Sequence, residues 1–187
     1  MALVEKLQHY SADEYLDQEQ RADVRHELVG GQMFAMVGAS NIHNLIAGSL
    51  FSYLRSGVKD RCHVYMSDMK VRVENDFYYP DIVVSCEEAK KISYYLDNPQ
   101  VIIEVISPST EMRDKMEKRI AYQRLPTLKE YVLIYQEKIS VEVFRRIGEG
   151  WEKETYSEGD VIEYASLAFE IKIESIYEDV LKYLSDK

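Results

Sequence analysis

The sequence predicts a mixed α/β (α+β) fold, with helices flanking a mixed β-sheet, and three observations predict it. Short β-branched runs bounded by Pro or Gly recur along the chain, the clearest being Val101-Ile102-Ile103-Glu104-Val105-Ile106 between Pro99 and Ser107-Pro108. Segments with apolar residues near helical spacing separate several of these runs, notably 42–54 and 110–125. Hydrophobic residues make up 46% of 187, which excludes a disordered chain and suffices for one domain, 1–187, with a buried core.

The elements follow in order. Ser11 reads as the N-cap of a short helix beginning Ala12-Asp13-Glu14. Glu27 to Val37 reads as two strand segments joined at Gly30-Gly31. Ser40-Asn41-Ile42-His43 starts a helix that runs to about Arg55, carried by Ile42, Leu45, Ile46, Leu50 and Leu54. Strands are expected around 62–66, 69–75, 78–85 and 100–106. A helix from about Thr110 to Leu125 stops at Pro126, because proline cannot continue the backbone ladder. Strands at 131–135 and 141–144 come next, and Gly148-Glu149-Gly150-Trp151 turns into another. A helix from about Ile176 to Leu184 closes the chain. No linker or repeat interrupts this order.

Composition excludes several classes. The net charge of −10 lowers the expectation of tight, nonspecific nucleic-acid binding, which needs a basic footprint. The run from Arg113 to Arg119, continuing to Arg124, is the locally positive exception. Cys62 and Cys86 form no CxxC pair or His/Cys cluster, so neither a structural zinc site nor an oxidising compartment is called for. His9, His26 and His63 show no metal-ligand spacing, and no GxSxG elbow occurs. Met1 to Asp17 has no apolar core, and no stretch approaches the roughly 20 apolar residues of a membrane span. A cytoplasmic protein with no membrane partner is expected.

The chemistry concentrates on acidic residues in apolar strands. Glu104 lies inside an otherwise apolar run, and Asp81 opens Ile82-Val83-Val84 directly after Tyr79-Pro80. An ionised carboxylate there costs several kcal/mol unless it meets a cation or hydrogen-bond donors. Two such residues on two core strands suggest a site for a hard cation. The following helix places Asp114, Lys118 and Tyr122 at i, i+4 and i+8, one stripe, while Met112, Met116 and Ile120 form an apolar side. The wheel leaves open which side faces the sheet. Taken singly, these residues have plainer readings. Asp81 is turn chemistry after proline, Lys118 an ion-pair partner of Asp114, and Tyr122 a core tyrosine. Ser40 is then an N-cap, His43 a helix-start residue and Glu27 a solvated charge.

Together they form a recognisable pattern. Pro80-Asp81 followed by Glu104-Val105-Ile106 resembles the PD-(D/E)-x-K nuclease core. Glu104-Val105-Ile106-Ser107-Pro108-Ser109-Thr110 with Asp114, Lys118 and Tyr122 is similar to the Uma-type restriction endonucleases. So are Glu27 before Leu28-Val29-Gly30-Gly31, the Ser40/His43 helix start, and Glu130-Tyr131-Val132-Leu133. The resemblance implies a restriction-endonuclease-like fold that hydrolyses DNA phosphodiesters. Asp81, Glu104 and the Val105 carbonyl would bind Mg²⁺ or Mn²⁺, with Glu27 as a further carboxylate. Lys118 would come from the following helix, supported by Asp114, Tyr122 and His43. Arg113, Lys115 and Arg119 would face DNA, and a homodimer would cut both strands. One departure stands out: the general motif places its lysine two residues after the glutamate, where this chain has Ile106. Two alternatives follow, a non-catalytic nuclease fold serving binding or regulation, and a hydrolase of another phosphoester.

Overall fold

The computed structural model describes residues 8–58, 60–88, 91–108 and 110–184. Ser109 of the motif and Met1–Leu7 of the N-terminal stretch lie outside them. The architecture is α+β, with mixed sheets flanked by helices.

Six strands form the central sheet: β3 (His63–Met66), β6 (Ile82–Ser85), β8 (Val101–Ile106), β9 (Glu130–Tyr135), β10 (Ser140–Ile147) and β11 (Gly150–Ser157). Their spatial order is β11-β10-β9-β8-β6-β3, with β8 and β9 parallel and the other neighbours antiparallel. A five-stranded sheet holds β1 (His26–Val29), β2 (Gln32–Ala35), β4 (Lys70–Val73), β5 (Asp76–Tyr78) and β7 (Tyr95–Leu96) in the order β2-β1-β5-β4-β7. Strands β12 (Val161–Tyr164) and β13 (Phe169–Lys172) pair alone.

Alternation along β8 divides the interior between the two faces of the central sheet. Val101, Ile103 and Val105 pack with Ile46, Leu50 and Leu54 of α2 (Asn41–Val58) and with Ile173 and Ile176 of α4 (Ile173–Tyr177). Ile102 and Ile106 pack on the other face with Ala121 and Tyr122 of α3 (Arg119–Gln123), and with Val71, Val73 and Tyr78 of the second sheet. Each fully buried Ile or Leu stabilises the fold by about 1.5–3 kcal/mol. A smaller cluster of Tyr15, Leu28 and Phe77 joins α1 (Ala12–Glu19) to the second sheet. Ser11 caps α1 through a capping box with Glu14. No helix among the described residues is long and apolar enough to cross a membrane.

The structure corrects several expectations. The strand expected over 78–85 is two strands in different sheets, β5 and β6, separated at Pro80. Proline has no N–H for a ladder and restricts the residue before it, so the chain changes sheets there. The expected 110–125 helix forms, but Arg113–Lys118 is a wide π-helical turn that runs into α3. The closing helix breaks into α4 and α5 (Leu181–Leu184), and α4 starts at Ile173 because that residue is buried against α2. Cys62 and Cys86 form a disulfide between the start of β3 and the end of β6. Those two strands are antiparallel neighbours, with His63 opposite Ser85, and this pairing brings the cysteines together. Strands β7, β12 and β13 were not expected.

Candidate active site

Glu104 leaves the sheet on the same face as Ile102 and Ile106, toward the π-helical turn and α3. It is 3% exposed, so its charge has to be met by protein groups. Lys118 meets it, with Nζ 3.0 Å from Glu104 Oε1. The Tyr122 hydroxyl donates to the same oxygen at 3.2 Å. Lys118 also lies 3.2 Å from Glu27 Oε1 and 3.4 Å from Asp114 Oδ1, so one ammonium serves three carboxylates. The polar stripe therefore faces inward, and the apolar side, with Met112, Met116 and Ile120, is exposed. A π turn is wider than an α turn, and here Lys118 reaches Glu104 while pairing with Asp114 on the same turn. The Tyr131 hydroxyl pins the turn by donating to the Asp114 carbonyl at 2.9 Å.

The departure at Ile106 has a physical account. Ile106 shares the face of Glu104, but that position packs into the apolar cluster with Tyr122 and Leu125. The helix above it delivers the cation instead.

Asp81 stands at the entrance of β6, just past the Pro80 break. The Val105 N–H donates to its Oδ2 at 2.8 Å, which ties it to the strand of Glu104 beyond the last ladder pair. His43 Nε2 lies 3.0 Å from the same oxygen. Ser40 accepts the His43 N–H at 3.1 Å and donates to Gln136 at 3.0 Å, fixing the start of α2 over the site. Glu27 comes from β1 in the other sheet. Its Oε1 accepts the Tyr79 N–H at 3.0 Å, and Arg113 Nη2 approaches its Oε2 at 2.6 Å. The two sheets thus bring Glu27, Asp81 and Glu104 to one cleft, lined also by His43, Asp114 and Lys118.

Burial raises the Glu104 carboxyl well above its ordinary range. Lys118 opposes that shift, while Asp114, Asp81 and Glu27 add to it. Burial alone would strip the proton from Lys118, but Glu104, Glu27 and Asp114 outweigh it and hold the ammonium charged. Asp114 is also raised, by burial first and against the pull of Lys118. For His43, burial pulls downward, but the hydrogen bond and charge of Asp81 leave it raised.

The donors around the cleft suit a hard cation, being carboxylate and carbonyl oxygens. The contacts of Asp81 fall on Oδ2 and those of Glu104 on Oε1. Among the described residues, however, no three His, Cys, Asp or Glu side chains are grouped so as to hold an ion by themselves. Asp81, Glu104 and Val105 line the cleft together.

Of the basic residues expected to face DNA, Arg113 lines this cleft, whereas Lys115 and Arg119 line a separate groove with Phe144 and Trp151. Sequence reasoning missed a buried network behind the site. The Tyr79 hydroxyl donates to Glu19 Oε1 at 2.8 Å and lies 3.2 Å from Lys70 Nζ. Burial lowers Lys70 below its ordinary value. Tyr79 beside Pro80-Asp81 was the available signal, but Glu19 and Lys70 stand alone in sequence.

Comparison with known proteins bears on family and fold. The Uma2 family, described as "Putative restriction endonuclease", matches residues 12–174. The uncharacterized protein slr1290 of Synechocystis sp. is 31% identical over 175 residues, covering 89% of this chain and 90% of the relative. A second Synechocystis protein, the uncharacterized sll1609, is 32% identical over 155 residues, covering 80% and 88%. Among solved structures, "a putative nuclease belonging to DUF820" from Anabaena variabilis superposes with a TM-score of 0.76 at 20% identity, covering 90% of this chain and 97% of that one.

Proposed function

We propose a function from one premise: the chain belongs to the Uma2 family. The reading best supported is a metal-dependent endonuclease that hydrolyses DNA phosphodiesters, acting as a homodimer so that two sites reach two strands. The observation that carries it is the convergence of Asp81, Glu104 and Lys118 from three elements on one cleft.

Asp81, Glu104 and the Val105 carbonyl would hold Mg²⁺ or Mn²⁺. Bound there, such an ion supplies an acidified water and neutralises charge on the attacked phosphate. The chain's own residues do the rest. Lys118 is held protonated, so its role is to offset negative charge developing on the phosphate, not to take a proton. Asp114 and Tyr122 hold Lys118 and Glu104 in place. Glu27 keeps Lys118 centred and ties Arg113 to the cleft wall. In hydrolysis the water oxygen bonds to phosphorus, the P–O bond to the leaving sugar breaks, and a proton passes to the departing alkoxide.

One observation favours a second reading, a nuclease fold kept for binding. His43 already meets Asp81 and Lys118 already meets Glu104, so each carboxylate is satisfied without an ion. Plasmid cleavage in Mg²⁺ or Mn²⁺ by wild type, Glu104→Gln and Lys118→Met, with Mn²⁺ titration of each, decides between them. Metal-dependent cutting lost in both variants is the expected result. Tight Mn²⁺ binding without cutting in any version would favour the binding fold.

A further inference from the structure

One wall of the cleft differs in chemistry from the rest. From Gln32 to Ser40 the chain reads Gln-Met-Phe-Ala-Met-Val-Gly-Ala-Ser, without a charged side chain. Strand β2 ends at Ala35, and the segment from there to Ser40 lines the same cleft as Asp81, Glu104 and Lys118. The apolar groups on this lip are not withdrawn into a core. Val37 is 88% exposed and Phe34 is 42% exposed. Strand β2 is an edge of its sheet, with β1 on its inner side. Arg113 joins the lip to the site, its guanidinium 5.6 Å from the Phe34 ring centre and 2.6 Å from Glu27.

We propose that the Phe34–Ser40 lip is the specificity element of the site, packing against unstacked bases of a strand whose phosphate lies at Asp81 and Glu104. The chain then acts on single-stranded or locally opened DNA in preference to intact duplex. The inference rests on the nuclease reading and extends it to a substrate class. Intact duplex presents phosphates, which call for cations; Gln32 to Ser40 supplies none of its own, and Arg113 beside Phe34 is already paired with Glu27. Apolar side chains meet nucleic acid productively at base faces, by wedging between steps or by stacking. Those faces are covered in duplex and bare in an opened strand. Ala35 to Ser40 line the cleft itself, so they border a strand bound at the carboxylates, and Phe34 adjoins it through Arg113.

The test is fluorescence anisotropy in Ca²⁺ with three labelled DNAs: a duplex, the same duplex with a central bubble, and a single strand. Wild type is compared with Val37→Ser, Val37→Ile and Phe34→Ala, alongside Mg²⁺-dependent cleavage of the same DNAs. Wild type is expected to bind bubble and single strand about tenfold more tightly than duplex, the effect of one base contact. Val37→Ser and Phe34→Ala should erase that preference and Val37→Ile should keep it. Equal affinity for all three DNAs, or a preference surviving both losses, overturns the role of the lip while cleavage leaves the nuclease standing. A dimer that dissociates in Val37→Ser, seen by sedimentation, also overturns it and assigns the lip to a second copy. Absence of both binding and cleavage on every DNA removes the nuclease reading itself.

Discussion

The Nζ of Lys118 lies 3.0 Å from Oε1 of Glu104, a residue fourteen positions earlier in the chain. Glu27 and Asp114 lie close to the same ammonium. Lys118 therefore offsets charge on three carboxylates at once.

Replacing Lys118 with Met leaves Glu104 and Asp114 without their shared cation and Glu27 with Arg113 alone. Breaking a buried pair in this way costs about 3–5 kcal/mol, so the urea midpoint should fall sharply and cleavage should cease. Adding Glu104→Gln to Lys118→Met should recover part of the stability and none of the cleavage. A double variant as unstable as the single one would show that the loss is not a charge effect.

Tyr122→Phe removes the hydroxyl that donates to Glu104 at 3.2 Å. One buried hydrogen bond is worth about 1 kcal/mol, so a small fall in the urea midpoint is expected, with cleavage retained at a reduced rate. Complete loss of cleavage at unchanged stability would mean that the phenol meets the substrate directly.

His43 gives the site a pH dependence measurable in metal-free buffer. Its folded pKa is raised above the ordinary 6.5 because Asp81 outweighs burial. A raised value means that its contribution is fully present below the unfolded pKa and is lost as pH rises through the folded one. Stability of wild type relative to His43→Ala should thus be greatest in mildly acidic chelator, below pH 6.5, and should decline as pH rises from there through the raised folded value. A difference independent of pH would refute the ion pair with Asp81.

The disulfide between Cys62 and Cys86 spans a sequence separation of 24. Loop-closure entropy for a span of that size gives about 3 kcal/mol. Reduction, or Cys86→Ser, should lower the melting temperature by several degrees, while thiol titration of the untreated protein should find no free cysteine. Two titratable thiols before reduction would refute the pairing.

Much of this was legible locally. A carboxylate inside Val101–Ile106 breaks an apolar run, and that irregularity marked Glu104 before any contact was visible. Asp114, Lys118 and Tyr122 share a stripe because of helical spacing alone. The stripe's direction was not legible, since Met112, Met116 and Ile120 make an equally plausible inner face. Three buried carboxylates around Lys118 decided it, and the methionines were left in water. Taken singly, Glu27 read as an ordinary surface charge, and only the family resemblance marked it, because its partners are remote: the Tyr79 amide lies 52 residues away. Glu19 and Lys70 gave no signal for the same reason.

By itself, then, the sequence determined the elements and the pattern of polar residues within them, because alternation and helical spacing are properties of neighbouring residues. The Pro80 break is of this kind too, although its result, a change of sheet, is not. Only the tertiary structure decided which charges share the cleft. Electrostatic energy depends on distance and on exclusion of water, and both are set by how the two sheets meet.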